Sequence, residues 1–467
     1  MTMIQETLPE ACDLAIIGAG PAGMAAAVTA ARAGLSVVLL DEGKAPGGQI
    51  YRDIEHSTGS RRRVLGGDYS AGLSLAKDLR ASDAVYLPNS SVWNISTDRI
   101  IDYSCDGSSF QLQATYILAA TGAVERPCPI PGWTKLGVTT VGALQILLKS
   151  AGVVEEDAIL AGSGPLLWLV ASQMVAAGHP PVAVVETTPR GRFAAAFPHI
   201  LGAARGHRYL RKGLSLMRKV RAAKVPIYSA ATDLCVLGDG EVAGLQFTSK
   251  GRVHKLPARH VAFHQGVVPN PQITRLMRCD HRWDAQQKCF RPIVSDRGKT
   301  SFEHLYTAGD GAGIMGAVSA ALQGRLAALD IAIELGKSPP ERAARLEAGL
   351  RKDAAVRPFL EALYAPAAQF LSPSDDVTVC RCEEITAGAI RKAVDLGAPG
   401  PNQVKSYLRS GMGPCQGRVC GLVVAAIIAE QRATSMDDTG YFRIRPPLKP
   451  LRLQELAGFQ SLKVQDR

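Results

Sequence analysis

Four cysteines late in this 467-residue chain are spaced for shared chemistry: Cys380-Arg-Cys382, then thirty-two residues, then Cys415-Gln-Gly-Arg-Val-Cys420. Four thiolates brought to one point can hold zinc or an iron–sulfur cluster. Zinc sites more often keep two or more residues inside each pair, so a lone residue between Cys380 and Cys382 is less usual for them. At the other end, glycines are spaced for phosphate in Gly18-Ala-Gly20-Pro21-Ala22-Gly23. Gly18 permits a tight turn, Gly20 lets backbone approach a pyrophosphate, and Gly23 allows close helix–strand packing. Free N–H groups at the start of the following helix face the phosphates. Asp41, eighteen residues after Gly23, is the first choice for the ribose hydroxyls, with Glu42 in reserve.

Those residues need particular elements to hold them. Leu14–Ile17 has strand length, an Ala-rich helix runs to about Ala33, Gly34 ends it, and Ser36–Leu40 makes a second apolar strand. Strand, turn, helix, strand and acid fall in the order that dinucleotide binding requires. Ala158-Ile-Leu-Ala-Gly162-Ser-Gly164-Pro-Leu-Leu167 repeats the first unit, with Val182–Val185 as its next strand and Glu186 as its acid. Leu167 replaces the third glycine, so helix and strand are held apart, the phosphate turn is crowded, and a working NAD(P) site is not expected. Short runs at Ala84–Pro88, Val92–Ile95 and Phe110–Ala114 predict a small antiparallel meander. His264 and His304 lie on strand-like segments and read as packing residues. No Ser/His/Asp set or paired carboxylate emerges, so no catalytic residue is assigned.

Composition narrows the class. The chain is 46% hydrophobic with a net charge of +11, enough for two or three cored domains. The apolar stretches Leu14–Ala31 and Ala158–Gly178 are broken by glycine turns, which predicts no transmembrane segment. Residues Met1–Ala11 carry Glu6 and Glu10 without a cationic-then-apolar signal, and ten cysteines are too sparse for a disulfide scaffold; a cytoplasmic protein is expected. Arg190–Lys224 holds ten Lys or Arg and no acid, which suits a solvated face, an acidic partner or a phosphate. Nucleic acid is not expected, because aromatic stacking residues are few.

Gly47-Gly48-Gln49, a few residues beyond the acid, resembles the FAD half of the glutathione-reductase and thioredoxin-reductase group. The resemblance implies a tandem two-dinucleotide-domain α/β flavoprotein with FAD held by the first fold. Gly18, Gly20, Pro21, Ala22, Gly23, Asp41, Glu42, Gly48 and Gln49 would belong to that site, with a loop near Val92 over the adenine. Tyr116–Gly122 would return the chain to the first fold, its Ala120-Thr121-Gly122 backbone touching the nucleotide. Gly266-Val-Val-Pro269-Asn270 resembles a segment that follows a strand at this point in the group, placing the return near His260. Leu305–Asp310 would deliver Gly309 and Asp310 to the ribityl chain, ahead of a helix from near Met315. No cysteine pair occurs at Gln49–Arg52 or Thr139–Ala143, which removes a dithiol mechanism.

The cysteine spacing, with Gly411-Met412-Gly413 before the second pair, resembles the bacterioferritin-associated-ferredoxin-like [2Fe–2S] domain. Helices are then expected at Thr386–Leu396, Gln403–Arg409 and Val419–Glu430, with Arg381, Lys405 and Arg418 able to offset thiolate charge. Expected domains are 1–133 and 259–345 for the FAD fold, 134–258 inserted, 346–375 a linker, 376–435 the cluster and 436–467 a basic tail. Over about residues 10–460, including the Gly47–Arg52 run and the Leu167 variant, the chain resembles the α (large) subunit of heteromeric bacterial dye-linked amino-acid and opine dehydrogenases. That resemblance implies a β-subunit of amino-acid-oxidase type with its own FAD, and admits an interfacial FMN, peripheral attachment to the inner membrane and a small γ-subunit. An amine would be oxidised to an imine on β, with electrons passing to a quinone or other acceptor. The alternative is a self-sufficient NAD(P)H-dependent reductase.

Overall fold

The first sheet is assembled so that the glycine turn, the acid and the later segments expected at the nucleotide leave it from one edge. The computed structural model describes residues 8–339 and 341–459. Strands β1 (Ala11–Ile17), β2 (Val37–Leu40), β3 (Val85–Leu87), β4 (Ser90–Ile95), β5 (Ile100–Cys105) and β6 (Ser108–Ala119) form it in the order β3-β2-β1-β6-β5-β4. Ile17 lies opposite Leu40 on one side and Ala119 on the other, while Thr307 of the strand Leu305–Thr307 pairs with Ala119. Glycine turn, acid, Ala120 and Gly309 therefore emerge together at the carboxyl ends of parallel strands. Helix α1 (Pro21–Arg32) covers one face with Met24, Ala26, Ala27 and Ala30 buried. A side chain at Gly324 would overlap the carbonyl of Ala22, so a glycine there lets helix Ala317–Glu334 lie directly on α1.

The second unit has five parallel strands, with Ala158–Ser163 between Ala183–Glu186 and His260–Gln265 and with Val138–Thr140 and Ile227–Tyr228 at the edges. His260–Gln265, placed by sequence with the first fold, is thus a strand of the second, and the return comes later, at Val267–Pro269 against Ala123–Glu125. Its apolar run suits either sheet, and only the register, Val261 opposite Ile159, decides. The expected meander also changes. β3 runs parallel to β2, and the unforeseen β5 completes the antiparallel part, β4-β5-β6.

Helices Ala343–Ala354 and Arg357–Leu363 occupy the stretch read as a linker, because Leu346 buries against Leu326 and Leu329. In the cysteine-bearing unit, helices fall at Ala387–Asp395, Pro401–Leu408 and Gly421–Gln431, within a few residues of expectation. Residues 440–450, assigned to a tail, turn back into the protein and bury Phe442, Ile444 and Leu448 in a core shared with β4, β5 and β6. Glu6, Pro340 near the end of the second FAD segment and residues 460–467 of the tail lie outside the described residues. Among the described residues no helix is long and apolar enough to cross a membrane.

Candidate functional site

The glycine turn between β1 and α1 is built by exclusion. A side chain at Gly18, whose φ is +106°, would run into the carbonyl of Ala120, and one at Gly23 would overlap the carbonyl of Gly18. Gly20 differs: nothing in the protein lies within 4 Å of where its side chain would begin. The close approach at Gly18 and Gly23 locks the turn, and the empty face at Gly20 leaves room for a phosphate at the free N–H groups of α1, whose first residue is Pro21. Ala22 faces Gly309, and Gly48, at φ +59°, closes over Gly20. Gln49 is exposed, its carbonyl taken by Lys149 Nζ at 3.0 Å.

The two acids behave differently from a simple ribose clamp. Asp41 Oδ2 accepts the Ala19 N–H at 2.6 Å and Oδ1 accepts the Gly43 N–H at 2.7 Å, so this carboxylate first of all ties β2 to the turn. Burial raises its pKa, and those N–H groups pull it back down. Glu42 is exposed and pairs with Lys449 from the far end of the chain. Val92 is a buried β4 residue opposite Tyr103, on a strand as the run Val92–Ile95 predicts, and so does not itself lie in the loop expected near it. The turn beside Asp41 is instead Pro88–Asn89, where the Asn89 N–H donates to Gly43 and the Ser90 N–H to Asp41. Ala120 and Thr121 cap the glycine turn, and Gly122 accepts the Asn270 N–H at 3.0 Å. Asp310 Oδ1 accepts the N–H groups of Met315 and Gly316 at 2.8 and 2.9 Å, leaving Oδ2 for an outside donor.

The second turn departs from the first at its third position. Leu167 is fully buried among Val141, Leu160 and Ala262, as its apolar side chain demands. Beneath the turn, the His264 imidazole packs against Gly164, and its Nδ1 meets Glu125 Oε1 at 2.6 Å. Glu125 also accepts the Gly142 N–H, tying this fold to the return segment. That pair and Lys149 were missed from sequence, since their partners lie 139 and 100 residues away. His304 edges the Tyr116 ring.

The late cysteines form one string of thiol contacts: Cys380 meets Cys420, Cys420 meets Cys415, and Cys415 meets Cys382. The contact with Cys420 lowers the pKa of Cys380 to about 6 and lowers that of Cys415, with backbone N–H groups of Gly411, Glu383, Val419 and Gly417 adding to the effect. The same contacts raise Cys420, and burial raises Cys382. Elsewhere the rule is the opposite. Isolated Cys12 and Cys289 are pushed up to about 12, chiefly by burial. Among the described residues no group of three or more His, Cys, Asp or Glu is arranged to hold a metal ion. The four thiols are nevertheless brought next to one another, and two of them are held toward thiolate, the form that ligates metal. A side chain at Gly413 would overlap Cys382, which accounts for a glycine before the second pair.

Two dinucleotide folds, the second inserted into the first, define a class: FAD-binding oxidoreductases of glutathione-reductase-like architecture. Residues 12–324 match the pyridine nucleotide-disulphide oxidoreductase family, to which the chain belongs, and residues 376–459 match the sarcosine oxidase A3 domain. The latter runs across the boundary placed at residue 435. An opine oxidase subunit of Rhizobium meliloti is 42% identical, covering 96% of this chain and 88% of that protein. Hydrogen cyanide synthase subunit HcnB of Pseudomonas aeruginosa is 33% identical, over 96% and 98%. The crystal structure of L-proline dehydrogenase from P. horikoshii shares the fold, with a TM-score of 0.69, 17% identity, and 96% and 80% coverage.

Proposed function

We propose that the chain is the flavin- and iron–sulfur-bearing electron-transfer subunit of a heteromeric dehydrogenase. Its companion β-subunit, of amino-acid-oxidase type, would oxidise an amino acid or opine to an imine. Full-length similarity to proteins named as opine oxidase and hydrogen cyanide synthase subunits supports a CH–NH oxidoreductase built from several chains. The observation that carries the electron-transfer part is the string of four thiols at Cys380, Cys420, Cys415 and Cys382, two of them held toward thiolate.

FAD fits the first turn, where Gly20 faces open space. Gly18, Gly20, Pro21, Ala22 and Gly23 would receive its phosphates, with Asp41 and Glu42 at the ribose, Gly48 and Gln49 over the turn, Ala120, Thr121 and Gly122 beside the flavin, and Gly309 and Asp310 at the ribityl chain. FAD accepts electrons in pairs and a [2Fe–2S] cluster passes them singly. Asp41 and Asp310 hold the turn and helix start in position, α1 offers its N–H groups to negative charge, and Leu167, buried where the third glycine would stand, supports a second fold that does not use NAD(P). Arg381, beside the first pair, stacks over Trp133, which places a cation near thiolates expected to carry net negative charge. A quinone acceptor, cytoplasmic residence, an FMN at the β-interface and a small γ-subunit complete the reading.

Anaerobic purification tests it. We expect flavin and iron–sulfur absorbance together, loss of at least half the cluster bands in C415S, and no bleaching by NADH or NADPH. Zinc without iron would end the cluster assignment. Rapid bleaching by a nicotinamide would turn the chain into a self-sufficient reductase.

A further inference from the structure

The segment read from sequence only as a basic run becomes a surface in the fold. Residues 192–205 form two short helices joined by a turn, Arg192–Ala196, Phe197–His199 and Ile200–Arg205, and helix His207–Ala222 follows. One side of this run is packed: Ala196 and Ala203 bury against Phe359, and Val220 against the second sheet's core. The other side is largely uncovered, apart from an edge-to-face contact of Phe193 with Phe359. Phe193, Phe197 and Leu201, spaced four residues apart, are 60%, 59% and 78% exposed, and Leu214 on the next helix is 54% exposed. The first three follow one another at four-residue steps along one basic run, and exposed apolar residues gathered so closely mark a covered surface.

Charge says what covers it. Seven of the ten cations in Arg190–Lys224 are arginine and none of its residues is acidic. Among the described residues only Arg208, with Asp353, and Lys212, with Asp68, reach a carboxylate. Arginine and aromatic residues are enriched where proteins meet, while lysine is depleted. Relatives along the full length are named as subunits, so a companion chain is available.

We infer that Phe193, Phe197 and Leu201, rimmed by Arg192, Arg205 and Arg211, are where the companion subunit docks, through an apolar patch ringed by Asp and Glu. This rests on the heteromeric reading above. The test takes the tagged chain from its native cells as wild type and as F197D/L201D. Both side chains are largely in solvent, so the isolated variant keeps the wild-type melting temperature. Wild type should bring down a companion with amine–dye oxidoreductase activity, and F197D/L201D should lose it at least tenfold. In the wild-type complex, amides 192–205 should exchange more slowly than in the chain alone. A complex that survives F197D/L201D with 192–205 unprotected overturns the surface but leaves the heteromer standing. Absence of any amine-oxidising companion overturns both. Flotation of the chain with anionic phosphatidylglycerol vesicles, abolished by F197D/L201D while the complex stays intact, assigns the face to a membrane instead and overturns the inference.

Discussion

Lys149 should make the protein's stability depend on alkaline pH in a way that one substitution removes. The residue is 3% exposed and its ammonium donates to Gln49 O and Gln145 Oε1 at 3.0 and 2.8 Å, with no carboxylate among these partners. Burial first, and Arg52 second, lower its pKa from 10.5 to about 7. The folded state therefore gives up the proton near pH 7, while the unfolded chain keeps it to about 10.5. Stability rises wherever the unfolded state binds more protons, so this contribution is least favourable below pH 7 and recovers as pH rises toward 10.5. One pH unit is worth about 1.36 kcal/mol. Between about pH 7 and 9, allowing for half-protonation at the start, the gain is about 2 kcal/mol. K149M has no such proton, but it leaves Gln145 Oε1 and the Gln49 carbonyl without their donor, at a pH-independent cost of about 1–3 kcal/mol for each. Urea unfolding of both proteins at the two pH values separates the terms. If wild type and K149M shift in parallel, Lys149 is not titrating and the burial argument fails.

The two inner glycines should separate stability from ligand binding. G20A adds a methyl that meets nothing in the protein, so it should melt within about 0.5 kcal/mol of wild type and yet purify with little flavin, whereas G23A should lose both flavin and stability. Flavin content by absorbance after heat release, beside a thermal melt, checks each. E125Q removes the charge from the bond to His264 and should destabilise by about 1.5–3 kcal/mol in urea, without altering the iron–sulfur spectrum.

Local chemistry was readable and distant pairing was not. Gly18, Gly20 and Gly23 act on neighbours a few residues away, so spacing alone exposed the turn. The Cys380 and Cys415 pairs likewise announced themselves by spacing. Asp41 was found, but its attachment to Ala19 and Gly43 depends on how β2 ends and has no signature in the chain. His260–Gln265 could have joined either sheet on its apolar pattern, and the meander was drawn with Ala84–Pro88 in it because β5 was not seen. The supposed linker became two helices because Leu346 found Leu326 and Leu329 some twenty residues back, a tertiary choice overriding a Pro-flanked composition.

Residues 440–450 have one more effect. Leu448 donates its N–H to the Trp93 carbonyl at 2.7 Å, and Lys449 lies against Glu42 and within the field of Asp41. A ribosome that has made the glycine turn, α1 and both acids must still synthesise some four hundred residues before the cation that finishes this corner leaves the exit tunnel. The corner that the proposed nucleotide would occupy is consequently finished only with the cysteine-bearing unit, and a nascent polypeptide interrupted before residue 440 lacks the Trp93 and Glu42 contacts that close it.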